Sequence, residues 1–579
     1  MVRVIYLAAA AALVAALPYK RINVVDHQTL AAKKGQAFKN PAPTNFDNNW
    51  MQQRTRQSFM CSGSPLHRLP NSPFSILHCP ATMVRVIYLA AAAALVAALP
   101  YKRINVVDVV QELKQRNVLE RADAALPVPT DNWVTQQVDN FDPSNAKTWQ
   151  QRYHYNTAWW GGEGYPVFVY INGENVADPS TPIDQSFFMN ELAVKHKALV
   201  VSLEHRFYGQ SQPTGDLSND SLQYLTMENA LADLANFQDV FQAKLNLTDS
   251  NKWITFGGSY PGMLSGFAKG QYPDRFAGSI ASSAPVDTKV DMNGYADTVA
   301  FALQYYGGDA CTNTVSAGVK AVHDLLASPK PEDATKLNKL FNFCSPIKND
   351  WDRGTVEGIV FGNFQGIVQY NNLMGPDTLT VPHVCKYFAN STHGATPLEK
   401  LASFTRKYWD SRNCTGSDYD TENIVGLSNA TMGAGDGIMR QWVFQTCNQF
   451  GFAQTTASAT SFWNQFSYWS VDVGYTEMCK RVYGITDTED RTQASRDTFG
   501  GLDIDSENTV WPNGNIDPWH TLSFTNDTLP VNDWSQSLFI DGTAHCADMY
   551  NSKYNLVPQY VHDNIEAQIV KFLANHDDI

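Results

Sequence analysis

Short apolar runs alternate with longer amphipathic stretches from about residue 166 onward. A strand that is covered on both faces is apolar along its whole length, so these runs predict buried strands. The predicted strands cover 167–171, 198–203, 253–256 and 278–283, with two more at 508–511 and 537–540. Amphipathic stretches predict helices at 187–195, 225–245, 263–272 and 561–574. Strands that alternate with helices indicate a mostly parallel sheet with helices on both faces.

The alternation stops between about residues 286 and 488, where the sequence is typical of helices and loops. Strand signals return only near the end of the chain. A sheet that is interrupted by a long helical segment and then completed indicates an α/β hydrolase with a large helical cap. We therefore predict a first hydrolase part at 109–286, the cap at 287–489 and a second hydrolase part at 490–579.

The N-terminal region contains a duplication, because residues 1–26 recur unchanged at 83–108. Each copy has an early arginine, a short apolar run and small residues at its end, which is the layout of a secretory signal peptide and not of a membrane span. We predict a signal peptide at 83–98 and treat 1–82 as a doubtful upstream segment. A mis-joined gene explains the duplication more simply than a functional repeat does. Sequencing the N-terminus of the secreted protein distinguishes the two.

The turn GGSYPG at 257–262 carries the first candidate for chemistry. A strand, a tight glycine turn with a serine and a helix form a nucleophile elbow, in which the serine hydroxyl is exposed above the sheet. Ser259 is the candidate nucleophile. Pro261 is compatible with this turn, since the N–H that proline lacks would be unpaired in a first helical turn. A structural turn has the same local sequence, so the assignment depends on residues downstream.

A serine nucleophile needs a histidine base and a carboxylate that orients the base, and in α/β hydrolases they follow the serine in the order acid, then histidine. Asp517 follows the strand predicted at 508–511, and His545 follows the one at 537–540. His520 lies only three residues beyond the acid, which indicates a structural histidine. His562 and His576 belong to the terminal helix and its tail, where we expect solvated side chains. Ser259, Asp517 and His545 form the predicted triad.

Two backbone groups are expected to bind the oxyanion of the tetrahedral intermediate. One is the N–H of Tyr260, directly after the nucleophile. The other should come from the loop after the strand at 167–171, where Gly173 permits close approach.

Composition limits the classes of partner and cofactor. Hydrophobic residues make up 44% of the chain and charged residues 17%, an ordinary globular balance. The formal net charge of −14 argues against nucleic acid, whose binding depends on Lys and Arg contacts to phosphate. The cysteines show no C-x-x-C pair, which disfavours a zinc site, and we expect no metal and no other cofactor.

Cysteines and sequons indicate an oxidising, secretory compartment. Cys61 and Cys79 lie in the doubtful segment, and six others between 311 and 479 allow three bridges in fifteen pairings. Glycosylation sequons are present at six positions: Asn219, Asn246, Asn390, Asn413, Asn429 and Asn526. We expect a secreted or lysosomal (vacuolar) glycoprotein.

Several motifs together resemble one family. GGSYPGML at 257–264, ASSAP at 281–285, EHRFYGQS at 204–211, NGNIDPWH at 513–520 and GTAHC at 542–546 are similar to motifs of the lysosomal Pro-X carboxypeptidase family, which also contains dipeptidyl peptidase II and the thymus-specific serine protease. The resemblance spans roughly residues 136–575. Two cap segments, NFQGIVQYN at 363–371 and RQWVFQTC at 440–447, resemble the thymus-specific branch most.

The resemblance implies an α/β hydrolase with a disulfide-bonded helical cap and assigns the triad roles to Ser259, Asp517 and His545. It also implies a cysteine pairing that the residues alone leave open: Cys311–Cys385, Cys344–Cys414 and Cys447–Cys479, with Cys546 free. The implied activity is removal of short peptides from chain ends, commonly after proline, because the cap closes one end of the cleft.

The leading hypothesis is a serine exopeptidase, either a carboxypeptidase or a dipeptidyl peptidase, that acts on peptide substrates. An esterase or lipase on the same fold is one alternative, since fold does not fix substrate. A non-catalytic binding protein is another, although such a protein usually lacks a triad member. We expect no membrane span, and a homodimer is compatible with the sequence, which does not decide the oligomeric state.

Overall fold

A computed structural model describes residues 126–371, 379–408, 413–431 and 438–574. They fall within residues 100–579, one of the two units into which the chain divides. The upstream segment 1–82, the signal peptide at 83–98, Cys61, Cys79 and His576 lie outside the described residues.

Ten strands are present in the described part of the chain, eight in a central sheet and two in a small one. They are β1 (Asn132–Gln137), β2 (Thr148–Asn156), β3 (Val167–Ile171), β4 (Leu199–Leu203), β5 (Trp253–Gly258), β6 (Gly278–Ser282), β7 (Lys289–Asp291), β8 (Gly451–Ala453), β9 (Thr509–Gly514) and β10 (Gln536–Ile540). The central sheet has the order β1-β2-β4-β3-β5-β6-β9-β10, and β7 pairs with β8. From β4 to β10 all neighbours are parallel, whereas β1 and β2 are antiparallel at one edge. This arrangement is that of an α/β hydrolase, as predicted.

Helices cover both faces of the sheet. In the hydrolase part they are α1 (Phe188–His196), α2 (Asn219–Leu222), α3 (Met227–Leu245), α4 (Tyr260–Gln271) and the last helix, which is α12 (Gln559–Leu573). Successive side chains of a strand point to opposite faces. In β3, Val167 and Val169 pack with α3 and α4, while Phe168 packs with α1 and α12. The continuous apolar runs therefore fill two cores at once.

The cap lies between β6 and β9 in sequence. Its helices are α5 (Gly294–Ala327), α6 (Pro331–Phe341), α7 (Asp350–Gln369), α8 (Val381–Ala389), α9 (Pro397–Tyr408), α10 (Met439–Gln445) and α11 (Thr488–Phe499). Helix α5 is interrupted at Gly308, whose φ of 58° is not helical. Short π-helical turns include Thr446–Phe450 and Cys479–Tyr483. Helix α11 crosses the predicted boundary at 489/490, and the boundaries 286/287 and 489/490 stay predictions.

Three disulfides join cap elements in the pairs that the family resemblance implies. They are Cys311–Cys385, Cys344–Cys414 and Cys447–Cys479. The first ties α5 to α8, and the third ties the turn after α10 to the π-helical turn at 479–483. Cys546 is the free cysteine of the described residues.

The pattern analysis did not predict β1 and β2. Their buried positions include Gln136, Gln151, Arg152 and His154, which give no apolar signal. These polar side chains are buried because they are paired: Arg152 bonds the Glu204 carboxylate, and Gln136 donates to Gln151 Oε1 at 2.7 Å. The small β7–β8 sheet was missed as well, because its strands have three residues each.

Candidate active site

Ser259 lies in the turn between β5 and α4 with φ 66° and ψ −133°. A left-handed φ at a residue other than glycine costs about 1–3 kcal/mol, and such strain is concentrated at functional sites. The Ser259 N–H donates to the Ser282 carbonyl at 2.9 Å, and its own carbonyl accepts the Met263 N–H at 3.1 Å. The turn is thus bonded to both neighbouring elements, which keeps the serine in the strained conformation.

The glycines of the elbow are required by close packing. A Cβ at Gly257 would clash with the backbone of Pro261, and one at Gly262 would lie 2.5 Å from the Ser282 carbonyl oxygen. A Cβ at Gly258 would meet Met549 and the Cys546 Sγ, both from the loop that follows β10. The turn at 257–262 that carries Ser259 (the nucleophile turn) and the loop after β10 that carries His545 (the histidine loop) therefore pack directly against each other.

Asp517 and His545 form a buried pair at the ends of β9 and β10. His545 Nδ1 lies 2.9 Å from both carboxylate oxygens of Asp517, and the two residues are 1% and 0% exposed. Burial by itself would lower the pKa of His545, but the Asp517 carboxylate and the neighbouring Cys546 side chain together outweigh it, so the pKa stands above its usual range. Because Nδ1–H donates to Asp517, Nε2 of the neutral ring is the nitrogen that can accept a proton. Nε2 has no hydrogen-bond partner within the described residues.

The end of β6 connects the three segments that carry the predicted triad. Ser282 bonds the nucleophile turn through its carbonyl, and its Oγ donates to Asp548 Oδ1 at 2.5 Å. Ser283, with φ 46°, accepts the Cys546 N–H on its Oγ at 2.9 Å. Its own N–H donates to the Pro512 carbonyl of β9 at 2.7 Å. The ASSAP motif was noticed only as part of the resemblance, and its role depends on these contacts between distant segments.

The predicted oxyanion groups lie on adjoining segments. Tyr260 is the first residue of α4, and the first N–H groups of a helix have no partner within the helix. A Cβ at Gly173 would clash with the Pro261 ring and lie 3.5 Å from Tyr260 Cδ1. The loop after β3 thus passes directly over the start of α4. Burial raises the pKa of the next carboxyl, Glu174, and the charge of His545 acts in the opposite direction.

A series of packed aromatic side chains connects Tyr260 with His545. Ring centroids are 5.0 Å apart for Tyr260 and Phe450, 5.6 Å for Phe450 and Phe452, 5.2 Å for Phe452 and Trp519, and 6.3 Å for Trp519 and His545. Phe450 and Phe452 belong to the cap. Trp519 belongs to the segment after β9 that carries Asp517, which we call the acid loop. Aromatic side chains of the cap and of the hydrolase part therefore pack together beside the predicted triad.

A cluster of polar side chains holds the Tyr260 side chain through its hydroxyl group. Burial lowers the pKa of His205 to about 4, so its ring is neutral. Its Nδ1 donates to the Arg206 carbonyl at 2.7 Å, which leaves Nε2 to accept from the Tyr260 hydroxyl at 2.9 Å. Nearby, the Tyr208 hydroxyl donates to Gln445 Oε1 of the cap at 2.5 Å. The EHRFYGQS motif thus supports the residue whose N–H is expected in the oxyanion site.

The structure agrees with the prediction for His520 but not with the one for His562. His520 Nδ1 donates to the Asp517 carbonyl at 2.6 Å, which agrees with a structural role. The expectation of a solvated His562 was wrong: it is 3% exposed, its Nε2 lies 2.9 Å from the Asp548 carbonyl, and its ring stacks near Phe188. Helix α12 packs on the sheet with this face, so the side chain is buried.

The six sequon asparagines are all exposed (Asn219, Asn246, Asn390, Asn413, Asn429 and Asn526). Asn219 also contacts the cap, since its Nδ2 donates to the Tyr483 carbonyl at 3.2 Å and its Oδ1 accepts from Arg440 at 2.9 Å.

Within the described ranges, no cluster of three or more His, Cys, Asp or Glu side chains is arranged to hold a metal ion. None of the helices in those ranges combines the length and apolar character that crossing a bilayer requires.

Comparison with known proteins agrees with this geometry. Residues 136–563 match the serine carboxypeptidase S28 family. A serine protease of Caenorhabditis elegans is 32% identical over 446 residues, which cover 72% of this chain and 82% of the relative. The mouse thymus-specific serine protease is 31% identical over 437 residues, 73% of this chain and 83% of the relative. The mouse lysosomal Pro-X carboxypeptidase is 26% identical over 434 residues, with coverage of 72% and 83%.

The resemblance found in the motifs thus extends over most of the chain, and the thymus-specific relative shares more identity than the lysosomal one does. The match to the family profile includes the elbow, the acid loop and the histidine loop. The chain therefore belongs to the serine carboxypeptidase S28 family of serine peptidases.

Proposed function

We propose that this protein is an exopeptidase that cleaves short peptides through an acyl-enzyme, with Ser259 as nucleophile, His545 as base and acid, and Asp517 as the orienting carboxylate. The observation that carries the proposal is the buried contact of His545 Nδ1 with both Asp517 oxygens at 2.9 Å. With Nδ1 bonded to Asp517, Nε2 is the free nitrogen of the ring, and it has no hydrogen-bond partner in the described part of the chain. His545 follows the carboxyl end of β10, and the strained Ser259 follows the carboxyl end of the parallel strand β5.

The proposed reaction proceeds in two halves. Ser259 Oγ attacks the peptide carbonyl while His545 Nε2 takes the hydroxyl proton, and the imidazolium then gives that proton to the leaving amine. A water molecule, deprotonated by the same nitrogen, attacks the acyl ester, and the returned proton restores Ser259. The buried Asp517 stabilises the imidazolium in both halves. The N–H groups of Tyr260 and Gly173 are proposed to bind the oxyanion.

The aromatic side chains beside His545 support a preference for an apolar residue, such as proline, beside the cleaved bond. Trp519 lies next to His545 and Phe452 packs on Trp519, and a rigid apolar ring buries area against such side chains with little loss of entropy. The cap that contributes Phe450 and Phe452 also supports cleavage near a chain end, since its residues pack against the segments that carry Asp517 and His545.

The protein is proposed to act outside the cell or in the lysosome or vacuole. The predicted signal peptide, the six exposed sequons and the three disulfides support this compartment. Among its relatives, one is named as lysosomal and another as extracellular. Light scattering on the secreted protein measures whether it forms the homodimer that the sequence allows.

One experiment tests the activity. The secreted protein is labelled with a fluorophosphonate probe beside Ser259→Ala and a control, Ser144→Ala, at an exposed position of the loop after β1. We expect labelling of the wild type and the control and none of Ser259→Ala. Proline-containing peptides blocked at either end then identify the end that is recognised. Absence of Ser259-dependent labelling would contradict the proposal, and ester turnover without peptide cleavage would favour an esterase.

A further inference from the structure

The C-terminal end of cap helix α7 reaches the predicted catalytic histidine. Gln369 is the last residue of α7, and its carbonyl oxygen accepts the His545 N–H at 3.0 Å. The last four carbonyls of a helix have no partner within the helix, so this one is available to a neighbouring segment. The backbone that carries His545 is thus bonded directly to the cap.

The side chain of the same residue bonds two further elements. Gln369 Oε1 accepts from Trp519 Nε1 at 3.0 Å and from the Tyr295 hydroxyl at 2.8 Å. Trp519 belongs to the acid loop, and its backbone N–H donates to Asp517 Oδ1 at 3.0 Å. Tyr295 lies in the first turn of α5, the first helix of the cap. One amide oxygen therefore connects the cap to the segment that holds the predicted acid.

The amide nitrogen orients a third ring. Gln369 Nε2 donates to the Tyr370 hydroxyl at 2.7 Å, and the Tyr370 ring lies edge-on to the His545 ring at 6.2 Å. The Trp519 ring is also close to the imidazole, with 6.3 Å between the two ring centroids. Gln369 thus bonds the histidine backbone and orients two of the rings that surround the imidazole.

The helix end also contributes electrostatically. The C-terminus of a helix carries a partial negative charge, which stabilises a nearby cation within about one turn. Helix α7 has 20 residues and ends at the His545 backbone. Its dipole therefore favours the imidazolium that forms when His545 takes the serine proton.

We propose that Gln369 is a positioning residue for His545, so that the cap helps to complete the triad. This inference rests on the proposed function of Ser259, Asp517 and His545. It assigns a chemical role to the cap segment 363–371, which the motif comparison had marked without explaining.

The test compares Gln369→Leu with Gln365→Leu, the same substitution one turn earlier in α7. The Gln365 side chain donates to Gln454 Oε1 at 2.6 Å, a contact within the cap. Misplacement of a catalytic group by about 1 Å costs on the order of 100-fold in rate. We expect Gln369→Leu to lower kcat about 10- to 100-fold with KM nearly unchanged. The rate of fluorophosphonate labelling should fall in parallel, because the small probe needs the triad but not the peptide subsites. Gln365→Leu should leave both rates at the wild-type level.

Gln369→Glu supplies the conservative variant. Its carboxylate can still accept from Trp519, Tyr295 and the Tyr370 hydroxyl, so we expect most of the labelling rate to return. The added negative charge near the imidazole should shift the acid limb of the pH–rate profile toward higher pH. A residue with a purely structural role would change the thermal midpoint in Gln369→Leu and leave kcat of the folded protein at the wild-type level.

The outcomes separate the inference from the function on which it rests. If the wild type is not labelled at Ser259, the proposed function fails whatever the variants do. If the wild type is labelled and Gln369→Leu keeps its kcat, or raises only KM, the positioning role is overturned. If Gln369→Leu is not secreted, Gln369→Glu tests the positioning role. Wild-type rates of this variant together with an unshifted pH–rate profile would overturn the inference.

Discussion

The N–H of Ser259 donates to the carbonyl oxygen of Ser282 at 2.9 Å, which ties the predicted nucleophile to the end of the neighbouring strand. The next residue, Ser283, accepts the Cys546 N–H beside His545 and donates to Pro512 of β9. Ser282 at the end of β6 and Ser283 directly after it thus hold the turn with the serine, the strand before the acid and the loop with the histidine. The relative positions of these segments depend on the end of β6 as much as on the triad side chains.

Ser283→Ala should therefore lower activity as well as stability. The change leaves the partly buried Cys546 N–H without its acceptor, at a cost of about 1 kcal/mol in the free energy of unfolding. Because that N–H is next to His545, we expect kcat to fall by about 10-fold or more. Ser279→Ala in the same strand is the control, since Ser279 Oγ bonds Ser265 Oγ at 2.8 Å. A kcat that falls equally in both variants would count against a role specific to Ser283.

Asp517→Asn should reduce kcat by about 10⁴-fold, because an amide can hold His545 in the wrong tautomer. It should also change the pH profile. His545 must be neutral to act as base, so activity is lost as the pH falls through its pKa. The Asp517 carboxylate raises that pKa, and its removal should move the acid limb to lower pH. A residual activity whose acid limb stays in place would show that another group titrates there.

Gly262→Ala should destabilise the protein, and Gly366→Ala should not. A Cβ at Gly262 would lie 2.5 Å from the Ser282 carbonyl oxygen, a backbone atom that cannot move freely, so we expect a loss of about 1–3 kcal/mol. Gly366 lies in α7 with no atom within 4 Å of its added Cβ, so alanine there should stabilise by about 0.5–1 kcal/mol. Chemical unfolding of both variants measures the difference in sign. Equal effects would mean that the elbow is less tightly packed than its geometry indicates.

Asp548→Asn should weaken the pH dependence of stability. Burial raises the pKa of Asp548 to about 7, against the smaller opposite effect of its hydrogen bond from Ser282. The native state then binds more protons than the unfolded state between about pH 4 and pH 7, so stability should fall as the pH rises through this range. The asparagine variant lacks this contribution, and its thermal midpoint should change less between pH 4.5 and 7.5. Parallel curves for wild type and variant would show that Asp548 ionises normally.

Local sequence accounts for the elements that are apolar or conformationally special. The strands β3 to β6 have continuous apolar runs, because both faces are covered, and these runs were recognised without the structure. The Ser259 turn was recognisable because a serine among glycines stands between a predicted strand and a predicted helix. The predicted order of Ser259, Asp517 and His545 followed from their positions directly after predicted strands.

Other features depend on contacts that no local pattern records. β1 and β2 were missed because their buried Gln and Arg side chains are compensated by partners far away in sequence, such as Glu204 for Arg152. The burial of His562 was missed because a helix pattern does not reveal how deeply each position packs against a sheet.

The sequence by itself determined the α/β hydrolase fold, the helical insertion and the candidate triad, because apolar runs, glycine turns and chain order are local properties. Only the tertiary structure decided that His545 is bonded to Gln369, 176 positions earlier in the chain, and that Ser282 and Ser283 join three distant segments. A hydrogen bond depends on distance and direction in space, and the residues that make it need no pattern along the chain.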